Sequence, residues 1–249
     1  MKVSIITVTY NSAKTIEQTI QSVLMQDYPE IEYLIIDGQS KDDTLKIVQS
    51  HTNKIAKIVS EKDEGLYDAL NKGISLASGD IIGFIHSDDF YTHPSVVRLY
   101  VETFLKENCD AVYSDLFYVD KNNTNQIIRT WKSGEYNPSS FLYGWMPPHP
   151  TFFVKKSVYQ KYGVFNTSFK SAADYELMLR FIFKQQIKIG YLPYFTVKMR
   201  VGGKSNISIK NRLFANQEDR KAWQINGLKP YFFTLYLKPL RKLSQFFKR

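Results

Sequence analysis

Residues 79–91 read GDIIGFIHSDDFY. An unbroken apolar run, Ile81 to Ile85, stops at His86-Ser87-Asp88-Asp89. Such a run between turn residues marks a strand buried on both faces, and the reading places a strand over 80–85. Adjacent carboxylates repel, so a pair at a strand end costs stability unless a cation or hydrogen-bond donors offset it. Hard oxygen ligands suit Mg²⁺ or Mn²⁺ held jointly with phosphate. The pair can equally cap the next helix, which starts at Thr92 or Pro94 and runs to about Lys106. Taken alone, the segment leaves both readings open.

The residues before it repeat one pattern three times. Residues 3–8 form a β-branched apolar strand, and 13–26 carry Ile16, Ile20, Val23 and Leu24 at helical spacing, with Asn11 or Ser12 as N-cap. Residues 32–36 form a strand ending in Asp37-Gly38, and Asp42 or Asp43 opens a helix through Ile47 and Val48. Residues 54–60 form a third strand, followed by a helix over 66–76 bearing Ala69, Leu70, Gly73 and Ile74. Strands alternating with helices predict an α/β fold, a parallel sheet with helices on both faces. In such sheets ligands bind beyond the carboxyl ends of the strands. Thr9-Tyr10-Asn11, Asp37-Gly38, residues 61–64 and Ser87-Asp88-Asp89 all fall there, and four polar loops on one edge make a site.

The second half is less regular. Strands are expected over 110–118, 127–131 and 151–154, a helix over 174–184, and two paired strands over 187–192 and 195–201. Residues 208–223 and the aromatic tail after Pro230 read as helical. No linker divides the chain, so residues 1–230 are expected to form one domain, with 231–249 as a basic amphipathic tail.

Composition narrows the class. The chain has 249 residues, 43% hydrophobic, ample for a buried core. Its one cysteine, Cys109, cannot form an internal disulfide and reads as a small buried hydrophobe. The N-terminus MKVSIITVTYNS lacks a signal-peptide core, and no stretch approaches the ~18 apolar residues of a membrane span. A cytoplasmic protein is the expectation. The net charge of +9 is concentrated after residue 198, where aromatics alternate with Lys and Arg. That pattern suits an anionic membrane surface, at the inner face of the cell membrane, packing on the chain's own domain, or a dimer contact. No nucleic-acid motif accompanies it, so a nucleic-acid partner is not expected.

In order, ITVTYNS, IIDGQSKDDT, SEKDEGLYDALNKGI and GDIIGFIHSDDFY closely resemble the nucleotide-binding half of family 2 glycosyltransferases with the GT-A fold, the bacterial colanic-acid and exopolysaccharide type above all. The resemblance covers about residues 1–115 and continues more weakly, as an acceptor half, to about 205. It implies a GT-A (Rossmann-like), mixed but mostly parallel sheet flanked by helices, with a C-terminal helical extension. It implies a UDP- or GDP-sugar donor, a glycan or lipid-linked acceptor and a Mn²⁺ or Mg²⁺ ion. Thr7, Thr9, Tyr10, Asn11 and Asp37 would line the base and ribose pocket, with Lys62 and Asp63 beside the nucleotide. Asp88 would face the ribose or sugar, and Asp89 would hold the metal. His86 departs from the family, where Asp or Asn is common, and is expected to pack or hydrogen-bond under the site.

SAADYELMLR resembles the family's acceptor-side acidic motif, which implies that Asp174 is the general base. Its other reading is a helix cap partnered by Arg180. Glu176 is expected on a different helix face, as an acceptor or diphosphate contact. His149, in the proline-stiffened MPPHPTFFV, reads as a diphosphate or acceptor contact or as a structural hydrogen-bonder. Gly202-Gly203-Lys204-Ser205 resembles the family's closing element, with Lys204 or Arg200 near phosphate, or is a β-turn; it lacks the spacing of a Walker loop. The function that follows is inverting transfer of a sugar in surface polysaccharide synthesis. Competing readings are a non-catalytic sugar-nucleotide or membrane-binding protein, and a sugar nucleotidyltransferase, for which VTYNSAKT lacks a triphosphate loop.

Overall fold

The structure, a computed structural model, describes residues 1–202, 209–241 and 245. Four parallel strands form its first half: β1 (Val3–Thr9), β2 (Ile31–Asp37), β3 (Lys57–Ser60) and β4 (Ile81–Phe84). Between them run α1 (Ile16–Leu24), α2 (Thr44–Gln49) and α3 (Leu66–Leu76). The chain continues through β5 (Phe90–Tyr91), α4 (Val96–Glu107), β6 (Ala111–Val119), β7 (Ile127–Trp131), β8 (Phe153–Lys155) and α5 (Lys156–Tyr162). Then follow α6 (Ala173–Met178), which runs on as a π-helical turn (Leu179–Lys184), β9 (Ile189–Arg200), α7 (Ile209–Ile225) and α8 (Thr234–Leu240).

One sheet holds the strands in the order β3-β2-β1-β4-β8-β6-β9-β5, with β7 beside β6. The mixed α/β architecture is the expected one. Its second half is more antiparallel than the N-terminal pattern suggests, since β8 runs against both β4 and β6. Alternation along the strands divides the core. Val3, Ile5, Tyr33 and Ile35 pack with Ile16, Ile20 and Tyr100 on one face, under α1, α2 and α4. Ile6, Val8, Leu34 and Ile36 pack with Leu70, Ile74 and Met178 on the other, under α3 and α6. On that second face, a Cβ on Gly73 would come within 2.5 Å of the Ile6 side chain, so only glycine lets α3 lie this close to the sheet.

Register then places the site. Thr9 pairs with Asp37, and Asp37 with Ser60, so three strand ends are level. The turn after β4 opens on the same edge, with Asp89 N–H donating to His86 O at 2.9 Å.

Some expectations change. The strands over 187–192 and 195–201 are not a pair but one strand, β9, parallel to β6. Its register jumps from Leu192 to Phe195, leaving Pro193 and Tyr194 as a bulge; proline has no N–H for the ladder. Neither Asn11 nor Ser12 caps α1, which follows a turn and starts after Thr15. Asp43 occupies the N-cap position of α2 without a side-chain cap bond, while Asp42 Oδ1 accepts Thr44 N–H at 3.0 Å. The described tail packs on the domain: Thr234 and Leu235 are buried, Thr234 Oγ1 donates to Leu142 O at 2.6 Å, and Lys238 pairs with Asp219 at 2.7 Å. No described helix is long and apolar enough to cross a membrane.

Candidate active site

One side of the site is built from three strand ends. Thr9 Oγ1 is buried and has no hydrogen-bond partner, an uncommon state for a buried hydroxyl. Thr7 points the same way one pleat deeper; it is fully buried, with its hydroxyl 3.0 Å from Tyr33 OH, so it supports the site rather than lining it. Tyr10 is exposed. Asn11 adopts φ +51 and holds the neighbouring loop, its N–H donating to Ser40 Oγ and its Oδ1 accepting Lys41 N–H, both at 2.8 Å. The fully buried Asp37 carboxylate accepts from Ser40 N–H (3.1 Å), Ser40 Oγ (2.5 Å) and Ser60 Oγ (2.6 Å), which leaves little of its capacity for a ligand. Asp63 Oδ1 accepts Gly65 N–H at 2.9 Å, and its other oxygen rests against Gly38, where any Cβ would strike it. Lys62 is exposed, and its carbonyl accepts from Lys72 Nζ at 3.0 Å.

Within the carboxylate pair, burial separates the two members. Asp88 is less buried, while Asp89 is 1% exposed and neither of its carboxylate oxygens has a hydrogen-bond partner. Burial drives the Asp89 carboxyl well above the usual carboxylate range, the charge of Asp88 adds to that, and Arg200 opposes it. Arg200, the last residue of β9, donates to the Asp88 carbonyl and to Gln18 Oε1, and its guanidinium lies 5.1 Å from the Phe90 ring. The two carboxylates thus differ in setting: that of Asp88 is exposed at the strand end, and that of Asp89 is enclosed with both oxygens unpartnered.

Across the cleft, α6 begins with Asp174 in its first turn. One of its oxygens lies 3.3 Å from His149 Nδ1, and the other accepts from Tyr67 OH at 3.3 Å. The Asp174 side chain remains 22% exposed and that of His149 31%, so a ligand can reach both. His149 sits between two prolines in a turn fixed by buried Thr151, whose hydroxyl donates to Pro148 O at 2.9 Å. The His86 ring lies 5.6 Å from that of His149. Burial pushes His86 down to about 4, the neighbouring His149 adds to this, and Asp88 and Asp174 oppose it. It is therefore a neutral ring under the site.

Glu176 faces elsewhere. It is 2% exposed and binds Arg180 Nε at 2.8 Å, Arg180 Nη2 at 3.0 Å and Asn226 Nδ2 at 3.0 Å. Arg180 also donates to the carbonyls of Tyr162, Gly163 and Val164, so the pair ties α6 to α5 and α7. It is thus no acceptor or diphosphate contact here, and Arg180 is no partner of Asp174. Lys204 lies outside the described residues. Two groups escaped the sequence reading, Tyr67 and the Arg200–Asp88 link. Tyr67 had a signal: α3 follows the Asp63 loop, so its first turn must open on the same sheet edge.

The donors present suit a hard divalent ion only as partners of a substrate. Among the described residues no three His, Cys, Asp or Glu side chains gather as a metal site. At the end of β4 one outward carboxylate, Asp88, remains, and Mg²⁺-type ions are commonly held by one or two carboxylates plus substrate phosphates.

A family model described as Glycosyl transferase family 2 matches residues 4–171. An uncharacterized glycosyltransferase of Mycobacterium tuberculosis is 34% identical over 180 residues, 72% of this chain and 68% of that protein. Chondroitin synthase of Escherichia coli is 31% identical over 181 residues, 72% of this chain but 26% of the synthase. Among solved structures, S. aureus TarS in complex with UDP-GlcNAc has a TM-score of 0.72 at 19% identity, covering 99% of this chain and 72% of that one. The mannosyltransferase PcManGT from Pyrobaculum calidifontis, in complex with GDP-Man and Mn²⁺, has a TM-score of 0.67 at 19% identity, covering 95% and 68%. The matched span takes in every strand-end loop and the His149 turn, and the chain belongs to glycosyl transferase family 2 as a glycosyltransferase.

Proposed function

We propose that this enzyme transfers a sugar from a nucleoside diphosphate donor to a hydroxyl of a glycan or lipid-linked acceptor, with inversion, in the synthesis of a surface polysaccharide of the exopolysaccharide type. The observation that carries the reading is the Asp174 carboxylate, reachable from solvent, held by Tyr67 and His149, and facing the edge where the strand ends converge. A carboxylate so fixed can take the proton of an acceptor hydroxyl as it attacks the anomeric carbon. Thr9, with its unused hydroxyl, the exposed Tyr10 ring and Asp63 offer the base and ribose their contacts. Asp88 is the residue that would hold a divalent ion beside the diphosphate. When bound, such an ion neutralises charge on the departing nucleotide. UDP, UDP-GlcNAc and GDP-Man complexes of the structural relatives support a sugar-nucleotide donor.

The acceptor side includes a surface suited to an anionic bilayer. Phe232, Tyr236 and Leu240 are exposed, with Tyr231 and Tyr143 beside them. After Asp219 the sequence has no acidic residue and eight Lys or Arg.

The test is Asp174→Asn. Transfer from a panel of nucleotide sugars should fall by roughly 10²–10⁴-fold, as expected for loss of a general base, while calorimetric nucleotide binding stays within about twofold. Undiminished transfer places the base elsewhere.

A further inference from the structure

Between α3 and α6, against the Asp174–His149 contact, the structure encloses a hollow of about 50 Å³. One water needs roughly 10–15 Å³ by this measure, so the hollow admits a group of a few heavy atoms. Phe84, Phe152, Phe165, Leu70, Leu177 and Met178 supply much of its wall. Tyr67, His86, His149 and Asp174 border it as well, and these four lie together at the partly exposed end.

Its position follows from the reaction, and in this the inference rests on the proposed sugar transfer. The anomeric carbon must lie between the departing diphosphate and the hydroxyl activated by Asp174. His86 stands two residues before Asp88, on the diphosphate side, and Asp174 stands on the other. A hollow bordered by both lies beneath the sugar being transferred. A hydroxyl entering it would give up water for aromatic and aliphatic carbon, a loss not made good without a hydrogen-bond partner. A methyl group would gain from the same burial.

We propose that this hollow selects donors whose sugar carries a methyl-terminated substituent, either an acetamido group or a 6-deoxy carbon, over their hydroxylated counterparts. The two sources share one chemistry, and paired ligands separate them: UDP-GlcNAc against UDP-glucose for the acetamido group, and GDP-fucose against GDP-L-galactose for the 6-deoxy carbon. UDP and GDP alone serve as references in calorimetry. In the pair whose nucleotide binds, the methyl-bearing donor should bind about tenfold to a hundredfold more tightly, the range a small apolar pocket provides. Leu177→Phe, which fills the hollow from α6, should erase that preference and leave affinity for the free nucleotide within about twofold. Leu70→Phe does the same from α3 and serves if the first variant lacks a wild-type melting transition. Equal or tighter binding of the hydroxylated donor, or a preference that survives in the folded variants, overturns the proposal. Failure of UDP and GDP alike to bind instead overturns the sugar-nucleotide reading on which it rests.

Discussion

His149 Nδ1 stands 3.3 Å from the Asp174 carboxylate, although 25 positions separate the two residues in the chain. Tyr67 holds the other oxygen from a third element, α3. A carboxylate positioned from two sides loses orientation when either side is removed. Tyr67→Phe keeps the ring stacked on Phe165, whose centroid is 5.7 Å away. It should lower kcat by about tenfold, the scale of one net hydrogen bond, with donor KM little changed. Steady-state kinetics decide it, and a rise in KM alone would make Tyr67 a binding residue instead.

The unequal burial of Asp88 and Asp89 separates their substitutions. Asp88→Asn should raise the Mn²⁺ concentration needed for half-maximal transfer by about tenfold or more, a typical loss when a metal site is impaired. Asp89→Asn should leave that concentration within about twofold, whatever it does to stability. Metal titrations of both variants check this, and the reverse ranking would return the ion to Asp89.

At Gly38 it is contact rather than backbone conformation that matters, because a Cβ there meets Asp63 Oδ2, which would have to move aside. Gly38→Ala should displace that carboxylate and weaken nucleotide binding by about tenfold, with thermal stability nearly kept. Calorimetry against melting temperature distinguishes this from general unfolding.

Glu32 offers a test of the fold through pH. Burial works against its ionisation, but hydrogen bonds from Ser4, Ser78 and Lys2 outweigh that and draw its pKa from 4.5 to about 2. A carboxyl depressed on folding contributes stability above its unfolded pKa and loses it as pH falls through the folded one. Solvent screening at this partly open position trims the effect, so Glu32→Gln should cost on the order of 2 kcal/mol at pH 7. The difference from wild type should shrink between pH 4.5 and 2. Denaturant unfolding at several pH values measures it, and a constant difference would contradict the assignment.

The exposed stripe on the tail predicts membrane contact. Phe232, Tyr236 and Leu240 recur every four residues and are 88%, 63% and 56% exposed. Replacing all three by Ser should reduce co-sedimentation with phosphatidylglycerol vesicles by at least about tenfold, since each buried side chain contributes one or more kcal/mol. Neutral phosphatidylcholine vesicles should bind the wild type weakly. Unchanged sedimentation would leave the tail as a packing element only.

Periodicity made the sheet legible, because apolar runs such as Val3 to Val8 and Leu34-Ile35-Ile36 have few other uses. The strand-end loops followed from β-α order alone. Neighbouring residues in a turn were harder: no local pattern tells which of Asp88 and Asp89 is enclosed, and β9, whose Arg200 reaches this turn, is over a hundred positions away. Thr7 and Thr9 share a face by parity, but depth along that face depends on Tyr33. Pro193 broke one strand into two in the sequence reading, since a bulge and a hairpin both tolerate proline. Arg180 lies i+4 from Glu176, yet the sequence offered it to Asp174, and the Asp174–His149 meeting is wholly tertiary.

The short strand β5 pairs with β9, and Arg200 at the end of β9 grips the Asp88 carbonyl. This gives the site an order of assembly. The four parallel strands are complete by residue 84, and Thr19 of α1 already donates to Asp89 O at 2.7 Å, but the Arg200 contact to the same turn joins only once residue 200 follows. A nascent or proteolysed chain ending before Ile189 would thus lack the guanidinium that grips the Asp88 carbonyl and would keep only the α1 side of that support.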